Sequence, residues 1–334
     1  MATVGTYNPT LLDVARRTDP DGKIAAIAEL LHDMNPILED MPFKEGNLPT
    51  GHKHTIRTGL PDVYWRMLNE GVPASKSTTK AITDGCGMLE AYSEVDKDVA
   101  KLNGNTKEYR MSEDMAFLEA MNQEMASTLF YGNTDVDPEK FIGLAPRYSA
   151  TSTDEDNSGY NVIDGGGGDD GENTSIWLVG WGINSVFGIY PKGSKAGLNM
   201  DDLAEQLDKD SNNKMKRVLV SHFKWDIGLC VRDWRYVVRI ANIDVADLAG
   251  ASAAGLVDLM IDAIERLPAS ATSGGMVRPV FYCNRTIMTY LRKQIKDTSN
   301  VNLTIDSVAG KQVVSFDGVP VRRCDAILNT ENDV

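Results

Sequence analysis

The stretch EYRMSEDMAFLEAMNQEMASTLFYGNTDVDPEKFIGLAPRY, residues 108–148, decides how the rest of the chain is read. Met111, Met115, Leu118, Met121, Met125 and Leu129 recur at steps of three and four, which lays one apolar stripe along a helix of 3.6-residue period. Ser112 is placed as its N-cap, Glu113 and Asp114 complement the positive end of the helix dipole, and Gly132 follows as a C′ stop. A helix over residues 112–131 would run about 30 Å at roughly 1.5 Å per residue. Beyond it, Gly132-Asn133-Thr134 and Asp137-Pro138 turn the chain and present Phe141-Ile142-Gly143-Leu144. Read alone, the pattern predicts a capped core helix.

N-terminal to this helix, residues 1–40 read as an arm. Ile24, Ile27, Leu30, Leu31 and Met34 form a short amphipathic helix ended by Asn35-Pro36, behind a stretch of turn formers with little to pack on. Residues 41–95 are rich in turns. His52-Lys53-His54-Thr55-Ile56-Arg57-Thr58 alternates like a strand, and residues 77–83 and 88–95 are extended again. Between them Gly59-Leu60-Pro61 and Gly71-Val72-Pro73 bracket an apolar island, Val63 to Leu68. The reading is a two-stranded excursion that leaves the body and returns. A lone hairpin is marginal in water, and Tyr64, Trp65, Met67 and Leu68 on it call for cover. That cover comes from a second copy of the chain, from another domain, or from folding flat on its own body. The four residues are the candidate subunit contacts.

C-terminal to the helix, residues 151–173 are low in complexity and predict a mobile surface loop. Residues 175–181 and 186–190 read as strands, 200–208 as a polar helical piece, and 217–224, 226–232 and 234–243 as an antiparallel meander. An amphipathic helix over 245–267 carries Leu248, Leu256, Leu259, Met260, Ala263, Ile264 and Leu267. Residues 280–283 form a short buried strand, Asn284 caps a helix over 286–296, and 313–316 pairs with 319–322 across Asp317-Gly318. Strands and helices alternate here as in a small α/β module within an α+β chain.

Composition narrows the function. A chain of 334 residues can bury a large core, and a net charge of −14 argues against an electrostatic clamp on nucleic acid. Cys86, Cys230, Cys283 and Cys324 lie far apart without a CxxC pair, which fits reduced thiols better than a disulfide framework. No basic-then-apolar leader is indicated at the N-terminus, and no apolar run approaches the roughly 18 residues of a membrane span.

The motifs for chemistry fail one by one. His52-x-His54 is the only close histidine pair, with no third ligand at a telling spacing. Asp154-x-Asp156-x-Ser158-Gly159 imitates a calcium loop, but Gly165 stands where the bidentate Glu is needed; Asp208-x-Asp210-x-Asn212 fails at Asn213 and Leu219. The Gly165–Gly168 run lacks the Lys-Ser/Thr of a phosphate loop and abuts Asp169-Asp170. No GxSxG elbow occurs, and no nucleophile motif pairs with His32 or His222. No catalytic residue, cofactor site or metal site is therefore assigned.

Five segments in order carry a resemblance: LFYGNTDVDPEKFIGLAPRYS (129–149), TSIWLVGWGINSVFGIYPKGS (174–194), DWRYVVRIANID (233–244), RPVFYCNRTIMTYLRKQI (278–295) and VSFDGVPVRRCDAIL (314–328). Together they resemble the major capsid proteins of tailed double-stranded DNA bacteriophages, of the Hong Kong 97-type fold, and look most like those of short-tailed phages of the Bordetella phage type. The resemblance implies an N-terminal arm (1–40), an extended loop (41–95), a peripheral domain (96–244) built on the spine helix 112–131, and an axial domain (245–334). It implies a structural protein that self-assembles as hexamers and pentamers into an icosahedral virion shell enclosing double-stranded DNA without sequence-specific binding. Assembly would take place in the bacterial host cytoplasm, with scaffold, cement or decoration, and portal proteins as candidate partners and no membrane. A cleaved N-terminal delta region has little room in the short arm, and no Asn partner is assignable to Lys76 or Lys80 for a crosslink. The alternative on the same fold is an encapsulin-type nanocompartment shell.

Overall fold

The computed structural model describes residues 35–102, 106–168, 171–209, 213–245, 248, 255–272, 277–297, 303–308 and 311–334. The expected arm helix with Ile24 to Met34 lies outside them. In chain order the strands are β1 (Phe43–Glu45), β2 (Gly51–Gly59), β3 (Thr78–Gly85), β4 (Gly87–Asp96), β5 (Val162–Asp164), β6 (Asn173–Trp181) and β7 (Val186–Tyr190). They continue with β8 (Leu198–Lys209), β9 (Met215–Val231), β10 (Val237–Asp244), β11 (Arg278–Cys283), β12 (Leu303–Val308), β13 (Lys311–Phe316) and β14 (Val319–Arg323). No described helix is long and apolar enough to cross a bilayer.

Every residue of β6 is buried, because the strand has a layer on each face. Ile176 and Leu178 point into a core with Ile240, Phe281 and the helices Gly255–Glu265 and Arg285–Asp297. Trp177, Val179 and Trp181 point the other way, onto Met125, Leu129 and Phe130 at the C-terminal half of the long helix and onto Phe141 and Leu144 after it. The period-2 alternation of a strand thus feeds two cores from one run of apolar residues. β6 pairs antiparallel with β10 on one side and β11 on the other, and β11 runs parallel to β14. The expected division after residue 244 therefore cuts through one hydrogen-bonded sheet. β13 and β14 turn through Asp317 (φ 47) and Gly318 (φ 77), the two left-handed residues that a tight hairpin requires. Asn284 Oδ1 accepts from Ile287 N at 2.9 Å and so caps the helix that follows.

A second unit is built on β9. Its first two-thirds run between β4 and β8, and its last residues pair with β7. The long helix, Thr106–Tyr131, lies against this wing at its start and against β6 at its end. At 26 residues it is about 39 Å long.

The helix begins at least six residues before Ser112, which sits inside it and is not its N-cap. The methionine stripe is only half a core. Met121 (4% exposed), Met125 and Leu129 are buried, whereas Met111 (67%) and Met115 (52%) face out and Leu118 is half-buried. In the first half the inward positions are instead Arg110, Asp114 and Phe117, at the same three- and four-residue steps but one residue out of phase. Arg110 binds Asp202 of β8, Ser221 Oγ of β9 donates to Asp114, and Phe117 stacks on Phe223 with centroids 6.3 Å apart. Arg110 and Asp114 share the inward face with Tyr109 and Phe117, and this polar mixture hid it from a hydrophobic-periodicity reading.

Residues 200–208 are not helical: they lie in β8, paired with β9 along its length. The run Asp201 to Leu207 has helical composition, but a long ladder partner outweighs propensity differences of a few tenths of a kcal/mol per residue. A bulge between Asp202 and Ala204 (φ 58) is where the strand accommodates the misfit. The separate strands expected at 217–224 and 226–232 are one, because no turn former interrupts Trp225 and both flanks are paired. The expected mobile loop 151–173 is partly docked: β5 runs parallel to β10, and Gly165 and Gly167 donate to Ala241 O and Asn242 O. A Cβ at Gly165 would lie 2.8 Å from Ala241 O, so the glycines there serve close approach. Of the helix expected over 245–267, residues 255–265 are helical, while 246, 247 and 249–254 lie outside the described residues.

Candidate functional site

The hairpin β2–β3 stands apart from the large sheet. Its ladder runs from Gly51–Gly85 at the base to Gly59–Thr78 at the far end, which carries it roughly 30 Å at about 3.3 Å per residue. Residues 60–77 form the tip, held by Ser75 Oγ donating to Asp62 O at 2.8 Å. The tip exposes Leu60, Val63, Tyr64, Trp65, Met67 and Leu68, with Trp65 fully solvated. Each such side chain would gain about 1.5–3 kcal/mol on full burial, so the subunit by itself leaves this segment unsatisfied. The tip does not fold flat on its own body.

At the other end the hairpin is anchored. His54 of β2 and Asp84 of β3 are buried on one face of the ladder, and Cys230 of β9 meets them. His54 Nδ1 lies 3.6 Å from Asp84 Oδ2 and 3.7 Å from Cys230 Sγ. Arg147, two residues after the FIGLA segment, donates to Asp84 Oδ1 at 2.8 Å and to Leu229 O at 3.3 Å. Burial holds the His54 imidazole below its usual range against the pull of Asp84, and burial pushes the Cys230 thiol far up. His54 therefore stays neutral at neutral pH, and the contact with Asp84 is not an ion pair there.

The same segment stops the long helix. Gly143 N donates to Gly132 O at 2.8 Å and Leu144 N to Leu129 O at 2.9 Å, satisfying carbonyls of the last turn. Gly132 ends the helix without adopting a left-handed conformation. Its role is close approach, since a Cβ there would sit 2.4 Å from Phe141 O.

A family model described as major capsid protein GP7 matches residues 19–334. The chain belongs to that family. Among solved structures, a chain of the near-atomic-resolution structure of bacteriophage Epsilon15 superposes with a TM-score of 0.80 at 39% identity, covering 100% of this chain and 99% of that one. The capsid of bacteriophage JBD30 (TM-score 0.49, 9% identity, 89% and 93% covered) and that of a native GTA particle (0.47, 9%, 67% and 95%) lie too far away to bear on the argument. No curated protein matches the chain in sequence.

As a member of the GP7 family, the chain is a structural major capsid protein of a tailed phage, with the α+β Hong Kong 97-type fold. It self-assembles into an oligomeric shell and resides in the virion capsid. The encapsulin alternative is not favoured. Of the candidate contact residues, Tyr64, Trp65, Met67 and Leu68 share the exposed tip, about a hairpin's length from the anchor. The anchor was missed by sequence reading. His54, Asp84 and Cys230 are separated by 30 and 146 residues, and no local spacing marks them as neighbours.

Proposed function

We propose that the subunit assembles as pentamers and hexamers into an icosahedral shell around double-stranded DNA, and that the β2–β3 hairpin is the extended loop that lies on a neighbouring subunit. The observation that carries this is the tip: Leu60, Val63, Trp65, Met67 and Leu68 are largely exposed, and Tyr64 half-exposed, at the end of a two-stranded arm. Aromatic anchors such as Tyr64 and Trp65 are the residues that most often dominate interfaces. Met111 and Met115, exposed on the long helix, extend the apolar surface open to neighbours. In this reading the long helix is the spine of the peripheral domain, with β4, β8 and β9 beside it. The axial domain, expected over 245–334, then takes in β6 and β10 as well, because they share one sheet with β11 and β14.

The protein performs no catalytic step, holds the genome by enclosure without reading sequence, and assembles in the host cytoplasm with scaffold, decoration and portal proteins as candidate partners. Net charge of −14 fits this, because a strongly basic lining would retain the genome. Negative-stain electron microscopy of the purified protein tests the reading: icosahedral shells or capsomers are expected, and small monodisperse particles at high concentration would overturn it.

A further inference from the structure

The anchor of the hairpin has the composition and spacing of a metal site. Imidazole, carboxylate and thiol are the three side chains that zinc-class ions take most often, and here one of each converges from three strands. Zn–N, Zn–O and Zn–S bonds of about 2.0–2.3 Å at tetrahedral angles place neighbouring ligand atoms roughly 3.4–3.6 Å apart. The observed separations of His54 Nδ1 from Asp84 Oδ2 and Cys230 Sγ are 3.6 and 3.7 Å, and all three ligand atoms lie within 4.8 Å of one another. An N–H···O hydrogen bond between His54 and Asp84 would instead close to about 2.9 Å, whereas 3.7 Å to Cys230 Sγ is also within reach of a hydrogen bond to sulfur, so the His54–Asp84 separation is the discriminating one. Asp84 Oδ2 is buried with no nitrogen donor in hydrogen-bond geometry and faces His54 and the Cys230 thiol, while its other oxygen is held by Arg147. A carboxylate fixed through one oxygen, with the other aimed at a histidine and a thiol, is the arrangement in which an outer-shell partner orients a metal ligand.

We propose that His54, Asp84 and Cys230 bind one divalent ion of the zinc class, with His54 through Nδ1, Asp84 through Oδ2 and Cys230 as thiolate. Solvent completes the tetrahedron. Binding releases the Cys230 proton to water, and the carboxylate and thiolate charges balance the ion. The ion ties both strands of the hairpin to β9, so it stiffens the base from which the tip is presented. His52, beside His54 with ring centroids 6.3 Å apart, is not a ligand and serves as the control.

The test uses the full-length protein, stripped with a chelator and titrated with Co2+ in place of Zn2+. Saturation at one ion per chain is expected, with a thiolate-to-cobalt charge-transfer band in the near ultraviolet, tetrahedral visible bands, and displacement by Zn2+. Cys230→Ser should abolish the charge-transfer band. Asp84→Asn should weaken binding by at least the roughly tenfold that loss of an outer-shell partner costs, and His52→Gln should leave the titration unchanged. Absence of saturable one-to-one binding by the wild-type chain, or a thiolate band that survives Cys230→Ser, overturns the proposal. The wild-type titration decides by itself if a variant does not fold.

Discussion

Arg239 and Glu331 form an ion pair of 2.8 Å with both side chains 5% exposed, joining the middle of β10 to the C-terminal segment. Arg239 also donates to Tyr148 O at 2.9 Å and lies 5.1 Å over the Trp177 ring, and Glu331 accepts from Tyr131 Oη and Ser175 Oγ. Burial, followed by the neighbouring Glu331 charge, pushes the Tyr131 phenol far up, so it remains a donor. Removing one partner strands the other charge in a dry site. Arg239→Met should therefore destabilise the subunit by about 3–5 kcal/mol, and adding Glu331→Gln should recover part of that. Urea unfolding of unassembled subunits measures both.

Gly143 sits where a Cβ would lie 2.6 Å from Thr128 O and 2.9 Å from Leu129 O, against the last turn of the long helix. Neither contact is with a flexible side chain, so the backbone must move. Gly143→Ala should cost about 1–3 kcal/mol and fray residues 128–132, seen as faster amide exchange there.

Tyr64→Ala with Trp65→Ala removes a half-exposed and a fully exposed aromatic ring from the tip of the lone subunit. Unfolding free energy should change by no more than about 0.5 kcal/mol, while shell assembly is impaired. Sedimentation under assembly conditions, beside denaturant unfolding of the subunit, separates the two effects. Normal shells of unchanged stability would count against the hairpin as an intersubunit arm.

Arg110 grips Asp202 with two bonds, 2.8 and 3.1 Å, and this, then the Ala204 N–H, holds the Asp202 carboxyl below its ordinary value of 3.8. The folded value lies under the unfolded one. The stabilisation is complete above about pH 5 and is lost as pH falls through the lowered folded value. The stability gap between wild type and Asp202→Asn should accordingly be widest near neutrality and close in acid. Asp202 is more than half exposed, so the gap should be small and shrink with added salt. Denaturation midpoints across the acid range at two ionic strengths check both statements.

How much of this was legible in one dimension follows from the range of each interaction. The existence of the long helix, the Asn284 cap and the Asp317-Gly318 hairpin all depend on residues a few positions apart. Periodicity, capping and turn chemistry report those directly. The five family-like segments added the fold class and the capsid function. Tertiary structure alone decided which helix face is inward, because Arg110 and Asp114 are inward only by virtue of Asp202 and Ser221 about a hundred residues away. It decided that 198–209 is a strand, since the β9 ladder outweighs local helical preference. It also assembled the Arg239–Glu331 pair and the His54, Asp84 and Cys230 anchor. Buried polar groups such as these are specified by partners that burial brings together, and no spacing along the chain encodes that meeting.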